Sequence, residues 1–353
     1  MDSYLVRSSV NYRDNEGVAI NTGFNNLNAR FNLTQRAMND KLTFTLNMIA
    51  TKRESQLGFS EAFKYATIFN PTAPVRTDDP LYDLTGGGYF ESNFVDYANP
   101  VAILEQNNNE RDFQRFNFTG TAEYKFFEGL KFLVRYAQQT SNVNRRAYLP
   151  RTSFHSRNFL GVSGFSRGGF AFRENQESFN KLYENVLSFE TRVSDLKISA
   201  IAGYSYQDFL NQGASMRAGN FITDESADDI SSALDFETGR ASATSYKNAS
   251  RLVAFFGRVN LNYDNFAYLT ASLRREGSSQ FGANNKWGMF PAVSAGVDLT
   301  RYIGVADINQ LKLRASYGVT GALPPQSYLS LPTLSAGGSS FYAGNGAYLQ
   351  SYG

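Results

Sequence analysis

The two side chains most characteristic of nucleophilic catalysis, general base catalysis and zinc binding, Cys and His, are almost missing from this chain of 353 residues. Cysteine is absent and histidine occurs once, at His155. These counts exclude disulfides, thiolate metal sites and His-cluster zinc sites, and they disfavour a Ser-His-Asp triad. His155 lies in a basic segment, where an ordinary surface histidine is a better interpretation than a catalytic base. No pair of carboxylates stands beside an activatable group, so nothing in the sequence indicates an enzyme.

Three other segments have the composition of binding loops, and each has a simpler interpretation. Residues 275–282 follow a predicted strand but precede no helical pattern, so they lack the geometry that cradles a phosphate. Residues 77–83 contain three carboxylates without the spacing of a calcium loop. The acidic run 224–237 fits a solvated surface, with contact to a partner protein as the alternative. We therefore expect no catalytic residue, no cofactor and no metal.

The overall composition narrows the class of protein further. The chain is 42% hydrophobic, 19% charged and 15% aromatic, with a formal net charge of +2. A near-neutral balance gives no reason to expect nucleic acid as a partner, and this aromatic content argues against disorder. Mean hydropathy is −0.37 and no apolar run of about 18 residues occurs, which excludes a helical membrane protein.

The dominant pattern is a strict alternation of apolar and polar residues, which is typical of strands with one apolar face. In 42–50, for example, Leu42, Phe44, Leu46, Met48 and Ala50 alternate with Thr43, Thr45 and Asn47. The same pattern predicts an all-β chain with eleven strands. They are placed near 3–13, 27–36, 41–52, 112–126, 130–142, 177–192, 196–208, 250–263, 266–276, 289–299 and 310–319. Many of these exceed the usual strand length and match the 9–11 residues that cross a bilayer at a tilt.

The connections between these strands alternate between short and long. Short turns rich in Asn, Asp and Gly are expected near 37–40, 127–129, 193–195 and 264–265, and long polar segments lie between the other strands, including 53–111 and 320–353. Short turns at one end and long loops at the other are typical of bacterial outer-membrane barrels. Aromatic residues near strand ends fit the two interfacial girdles of such a barrel. The alternative is a soluble β-sandwich, which does not predict charges along one face of so many long strands.

The polar face carries basic residues on most of the predicted strands. Strands can span hydrocarbon only in a closed barrel, so the apolar set must face lipid and the polar set a lumen. The predicted lumen-facing residues are Arg30, Arg115, Lys131, Arg135, Lys197, Arg258, Arg274, Lys312 and Arg314. We expect Glu123, Glu184 and Glu190, on the same face, to pair with some of them. An Arg or Lys on the lipid face would cost about 2–4 kcal/mol at the midplane, so this consistent placement is informative.

Two features suggest that the barrel is incomplete in this chain. Eleven strands is an odd number, whereas single-chain bacterial barrels have even numbers. The chain also starts inside an alternating run, without the basic and apolar regions of a signal peptide. We therefore expect a fragment or a mature chain, with a cytoplasmic protein as the alternative.

Residues 256–321 carry a more specific signal than the barrel rhythm. The stretch contains Phe-Gly-Arg-Val-Asn-Leu-Asn-Tyr-Asp from 256, Leu-Arg-Arg-Glu-Gly-Ser-Ser-Gln-Phe-Gly from 273 and Leu-Lys-Leu-Arg-Ala-Ser-Tyr-Gly-Val-Thr-Gly from 311. It closely resembles the barrel of the SusC/RagA family of TonB-dependent outer-membrane transporters. The sequence departs from the family at Val297, where Trp is usual, and at Ala322, where Asn is usual; both departures are local.

The resemblance implies a transmembrane antiparallel barrel of 22 strands in the outer membrane of a Gram-negative bacterium, with about half of the strands in this chain. It further implies short periplasmic turns, long extracellular loops and a plug domain that this chain does not contain. Residues 1–353 would then be the middle of the barrel. The implied partners are a SusD-like surface lipoprotein, the TonB complex and outer-membrane lipid, and the implied substrate is an oligosaccharide or a peptide.

Aromatic rings in the long loops are candidates for contact with a substrate or with the lipoprotein lid. They could stack on sugar faces or pack against the lid, and they could equally pack the loops on themselves. The candidates are Tyr82, Tyr89, Phe90, Phe94 and Tyr97. Two other functions remain open: a passive porin-like channel, which needs neither plug nor energy coupling, and a soluble β-rich surface adhesin.

Overall fold

Long β-strands account for most of the chain in the computed structural model, which describes residues 3–92, 97–153, 156, 168–300, 310–324, 327–331, 336–342 and 347–352. In chain order the strands of these ranges, β1 to β13, are Ser3–Glu16, Gly23–Ala37, Leu42–Gln56, Asn108–Phe127, Leu130–Leu149, Phe170–Val193, Leu196–Gly219, Ser242–Tyr263, Ala267–Ser278, Trp287–Asp298, Lys312–Gly318, Ala336–Tyr342 and Ala347–Tyr352. No helix within the described ranges is long and apolar enough to cross a membrane.

Strands β1 to β11 form one sheet in which each strand neighbours the next in the sequence. The pairs β1–β2, β2–β3, β3–β4, β4–β5, β8–β9, β9–β10 and β10–β11 have continuous antiparallel registers. The predicted eleven-stranded antiparallel sheet is therefore confirmed. Strands β12 and β13 form a separate pair inside 320–353, which the sequence pattern had predicted to be loop.

The short connections are tight turns that use left-handed backbone conformations. Asp264 and Asn265 join β8 to β9 with φ of 48° and 54°, and Gly129 joins β4 to β5 with φ of 95°. Asn, Asp and Gly tolerate this region better than other residues, which explains their place in the turns. At the opposite ends of the strands the connections are long. We name two of them: 57–107 is the first outer loop, and 220–241, the third long connection along the chain, is the third outer loop.

Several strands extend well beyond the length that a bilayer requires. β6 and β7 have 24 residues each, or about 80 Å of extended chain, against an apolar band of about 25 Å. At the outer end the apolar face becomes charged, with a 2.6 Å ion pair between Lys52 and Glu54 and a 2.7 Å pair between Arg146 and Glu110. These outer ends therefore lie above the apolar band. The predicted strands end too early there because the apolar alternation stops at the band, while backbone pairing continues.

The apolar face of the sheet is largely exposed in the described chain. The exposed fraction is 45% for Phe44, 42% for Leu269 and 66% for Leu313, although all three are large apolar residues. Exposure of such residues along whole strands is what a lipid-facing surface requires.

The chain divides into two compact units, residues 1–184 with 208–249 and residues 185–207 with 250–353. In the first unit the hydrophobic cores lie in the outer loops and at the outer ends of the strands next to them. Helices α1, Glu61–Ile68, and α2, Pro100–Gln106, belong to the first outer loop. Their buried Ala62, Tyr65 and Ile103 pack in one cluster with Leu149 and Phe170 at the outer ends of β5 and β6.

Candidate functional site

The predicted lumen-facing cations of the first unit share one face of the sheet. Arg30 is paired with Ile49, which is paired with Asn117, and directly paired residues lie on the same face. Residues an even number of positions apart on one strand also share a face. Arg115 is therefore on the same side as Asn117. Arg115 pairs with Ser141 of β5, and Arg135 and Lys131 are an even number of positions from Ser141, so they share that side too. We call this side the polar face.

The same relation holds for the second unit. The Asn260 Nδ2 donates a 3.5 Å hydrogen bond to the Ser199 Oγ, so Lys197 and Arg258, each two residues away from one of them, share a face. Arg258 pairs with Ser272, two residues from Arg274. Lys312 pairs with Asp298 of β10, and Arg314 pairs with Gly296. Both β10 residues are an even number of positions from Phe290, which pairs with Arg274, so Lys312 and Arg314 lie on the same face as Arg274.

Most of these cations have a carboxylate partner on the polar face. Nitrogen–oxygen distances are 3.6 Å for Lys131–Glu123, 3.2 Å for Arg135–Glu184, 2.5 Å for Arg274–Glu276 and 3.5 Å for Lys312–Asp298, and Lys197 pairs with Glu190. The predicted pairing of Glu123, Glu184 and Glu190 is confirmed. Exposed pairs of this kind add little stability, so their main effect is to neutralise the polar face locally.

Three arginines at the outer end of the polar face of β3 and β4 differ from this pattern. Arg53, Arg111 and Arg115 line a groove of about 680 Å³ together with Phe24 and Phe113. We call this the arginine groove. Of its arginines only Arg115 was selected from the sequence, because the predicted strands stopped before Arg53 and began after Arg111. The sequence does contain a sign of this groove: Arg111, Phe113 and Arg115 are two residues apart and would share one face of a strand.

The described aromatic candidates of the first outer loop pack against other residues of the same loop. The rings of Tyr82 and Phe90 stack with centroids 4.7 Å apart, and those of Phe69 and Tyr97 stack at 5.1 Å. Tyr89 is only 5% exposed and donates a 2.6 Å hydrogen bond to Glu105. Burial and this hydrogen bond raise the pKa of the Tyr89 phenol.

Of the same candidates, Tyr82 keeps 40% of its surface exposed, whereas Tyr89 is enclosed by its own loop. Phe94 lies outside the described residues, as does His155. A buried polar residue, Asn99, holds the loop together: its side chain caps α2 and its Nδ2 donates to the backbone oxygens of Val75 and Phe90 at 2.8 and 3.1 Å.

The acidic run of the third outer loop is mostly structural. Asp235 has no exposed surface and accepts hydrogen bonds from the Gly219 backbone N–H and the Asn220 side chain at 2.7 and 2.5 Å. Asp224 accepts a 2.7 Å hydrogen bond from the Tyr148 hydroxyl. Burial, followed by the bond to Asp224, raises the pKa of Tyr148 above its ordinary value. Only the exposed members of the run, such as Asp228, are available to a partner.

Within the part of the chain that the structure describes, no group of three or more His, Cys, Asp or Glu is placed to hold a metal ion. A groove of about 1100 Å³ is formed by the outer ends of β1 to β5 and the end of α2. Its lining is rich in Asn, Asp, Glu and Gln and contains no candidate nucleophile paired with a base.

The sequence is similar to that of curated TonB-dependent receptors along nearly its whole length. It is 28% identical to a TonB-dependent receptor of Formosa agariphila over 93% of the chain and 26% identical to the TonB-dependent receptor SusC of Bacteroides thetaiotaomicron over 89%. The predicted resemblance to SusC/RagA transporters is confirmed. The chain spans about a third of the length of these relatives, 32% in both cases. No family model matches the chain.

Solved structures place the fold in the same group. The chain superposes on the RagAB peptide importer in its open-open state with a TM-score of 0.74, over 99% of the chain and 38% of that protein, at 16% identity. It also matches BauA, the ferric preacinetobactin receptor of Acinetobacter baumannii, with a TM-score of 0.50 over 99% of the chain and 46% of that protein. The fold is that of a TonB-dependent transporter barrel, and the predicted outer-membrane location is confirmed.

Proposed function

We propose that the whole protein containing this chain is a TonB-dependent importer of the outer membrane that takes up an oligosaccharide or a peptide, with oligosaccharide preferred. The observation that carries the proposal is the match over 93% of the chain to a TonB-dependent receptor, joined to an eleven-stranded sheet with one apolar and one charged face. Residues 1–353 would supply barrel strands, and a plug and a TonB-contacting segment would belong to other parts of the protein.

In this proposal the polar face lines the lumen, and the packed outer loops bind substrate together with a SusD-like lipoprotein that closes the outside. Support for a rigid outer platform comes from the buried cluster of Phe59, Tyr65, Ile103, Leu149 and Phe170. A platform held this firmly presents substrate and lid contacts with little ordering cost on binding. TonB would pull on the plug and open the path through the lumen; no residue performs covalent chemistry.

The test is uptake by living cells. A strain that lacks the gene is complemented with the full-length protein, and uptake of labelled oligosaccharides and peptides is measured with and without functional TonB and with a protonophore. We expect uptake that disappears in both treatments. Uptake that persists without TonB and with the protonophore would identify a passive pore. A full-length protein that stays monodisperse without detergent would identify a soluble adhesin and refute the barrel.

The partner is tested by purifying a tagged full-length protein from outer membranes. We expect a surface lipoprotein at a ratio close to one to one, and its deletion should reduce uptake at low substrate concentration. Unchanged uptake after deletion of every co-purified lipoprotein would refute the partnership while leaving TonB-dependent import in place.

A further inference from the structure

The arginine groove lies on the polar face near the outer ends of β2, β3 and β4, entirely within the first compact unit. Its volume of about 680 Å³ falls in the range of small-ligand sites, which is about 300–1,000 Å³. Its lining includes three arginines but only one carboxylate, Glu16. The groove therefore carries a positive local charge, although the whole chain is close to neutral.

The arginines of the groove lack the carboxylate partners that Lys131, Arg135, Lys197, Arg274 and Lys312 have on the polar face. Among the residues that the structure describes, no ion pair joins Arg53, Arg111 or Arg115 to an acid, whereas Lys131 and Arg135 on the same face are paired. The Arg53 Nε instead donates a 3.3 Å hydrogen bond to the Asn26 side chain. Guanidinium groups stay charged in proteins, so the groove presents charge available to an incoming anion.

Aromatic rings hold two of these three guanidinium groups in place. The Arg53 guanidinium lies 4.6 Å from the centroid of the Phe24 ring, and that of Arg115 lies 4.9 Å from Phe113. A guanidinium stacked on a ring keeps its in-plane N–H donors free for a carboxylate, which it binds in a bidentate manner. Stacking therefore orients the charge toward a ligand without neutralising it.

The pattern continues along the same face at β5 to β7. Arg145 and Arg217 flank the Phe172 ring, with guanidinium carbons 5.4 and 5.3 Å from its centroid. The Arg145 Nε donates to the Asn109 side chain at 3.0 Å. The combination of arginine and phenylalanine therefore occurs at two places on the outer part of the polar face. A polymeric ligand with several negative charges could contact both.

We propose that the arginine groove recognises a carboxylated oligosaccharide, so that the imported substrate is an acidic glycan. The inference rests on the proposed import function and specifies its substrate class. Guanidinium groups match uronate carboxylates, the half-buried rings of Phe24 and Phe113 add apolar surface that suits sugar rings, and Thr51 and Ser55 offer hydroxyl partners. A neutral peptide fits less well, because along its length it offers these guanidinium groups no carboxylate.

The binding test uses the purified full-length protein in detergent and calorimetry. The probes are tetramers of galacturonate, mannuronate and guluronate, each compared with its carboxyl-reduced counterpart of the same linkage. We expect at least one uronate tetramer to bind at least about 10-fold more tightly than its neutral counterpart, and 0.5 M salt to weaken this binding through screening. If no uronate binds more tightly than its reduced form, the proposal is wrong.

The variant is the double substitution Arg53→Gln with Arg115→Gln, and the matched control is Arg36→Gln. Arg36 lies on the polar face of β2 but 12 residues from Phe24, roughly 40 Å along the strand. We expect at least about a 10-fold loss of uronate affinity in the double variant and less than a twofold change in the control. Heat-modifiable mobility in gels confirms that each variant is folded.

Three other results would overturn the proposal. They are an unchanged affinity in the folded double variant, selective binding of an acidic tetrapeptide in place of the uronates, and a change in thermal stability without a change in affinity, which would indicate that the groove docks another part of the protein. TonB-dependent uptake of a neutral oligosaccharide or peptide under any of these results would leave the proposed function intact. Loss of all TonB-dependent uptake would refute the function itself.

Discussion

Removing the Asp235 carboxylate should open the third outer loop. Asp235 is fully buried and accepts hydrogen bonds from the Gly219 N–H at 2.7 Å and the Asn220 Nδ2 at 2.5 Å. Hydrogen bonds to a charged acceptor contribute about 1.5–3 kcal/mol each, so Asp235→Ala should lower the free energy of local opening by about 3–6 kcal/mol. The upper part of this range exceeds the stability of many loops, so full opening is an expected outcome.

The assay is hydrogen exchange of residues 219–241 in the full-length protein, read by mass spectrometry. A loss of about 3 kcal/mol corresponds to roughly a 150-fold fall in protection of amides that exchange by local opening. The matched control is Glu237→Ala, which removes an exposed carboxylate from the same loop. The reasoning is refuted if Asp235→Ala changes protection by no more than the control does, or if protection falls equally in the first outer loop.

Two further predictions concern the sheet and the pH response. Leu269→Arg should reduce outer-membrane assembly, since an arginine on the lipid face costs about 2–4 kcal/mol near the midplane, while Thr270→Arg on the polar face should be tolerated; heat-modifiable mobility measures the assembled fraction, and equal effects would contradict the face assignment. The pKa of Tyr148 is raised, so its phenol should ionise only above pH 10. The measurement is absorbance at 295 nm as a function of pH for the wild type and for Tyr148→Phe, and the difference between the two curves should have its midpoint above pH 10. Because the folded loop favours the protonated phenol, its contribution to loop stability is full below the unfolded value and disappears as pH rises through the folded value. A midpoint at or below 10 would show that Tyr148 is not held by Asp224.

The strand pattern could be predicted from the sequence because lipid and water impose opposite demands on alternate residues. All eleven strands of the large sheet were found, and the inner ends of β4 and β7 were placed within about a residue of the observed ends. The outer ends were missed by up to about eleven residues, as at β7, which continues to Gly219. Above the bilayer both faces of a strand can be polar, so the alternation disappears although the backbone hydrogen bonds continue.

The structure of the outer loops is harder to predict from the sequence than the strands are. Helix α2 has a recognisable start, since Asn99 precedes Pro100 at the first helical position, but helix α1 is short and its buried residues become informative only beside Leu149 and Phe170. Pairing of such distant residues depends on tertiary contacts that no local pattern encodes. The pattern does not predict the strand pair β12–β13 because β12 is rich in Gly and Ser, which are poor strand formers, and β13 is only six residues long.

The charged residues of the polar face were correctly grouped by alternation, but their partners were only partly predictable. Pairing of Arg135 with Glu184 joins residues 49 positions apart and depends on strand register. The arginine groove depends on the same register, because Arg53 and Phe113 lie directly opposite each other on β3 and β4. A sequence pattern gives the face of a residue, and only the register gives its neighbours.

The most direct test of the central claim, that one face of this sheet contacts lipid and the other a water-filled lumen, is a spin-label scan of β9. The chain contains no cysteine, so single cysteines can be introduced from residue 268 to residue 274 of the full-length protein in liposomes without a background from this segment. We predict that oxygen accessibility peaks at 269, 271 and 273 and that accessibility to a water-soluble nickel complex peaks at 268, 270, 272 and 274. A scan without this two-residue alternation, or with the two reagents exchanged, would contradict the account.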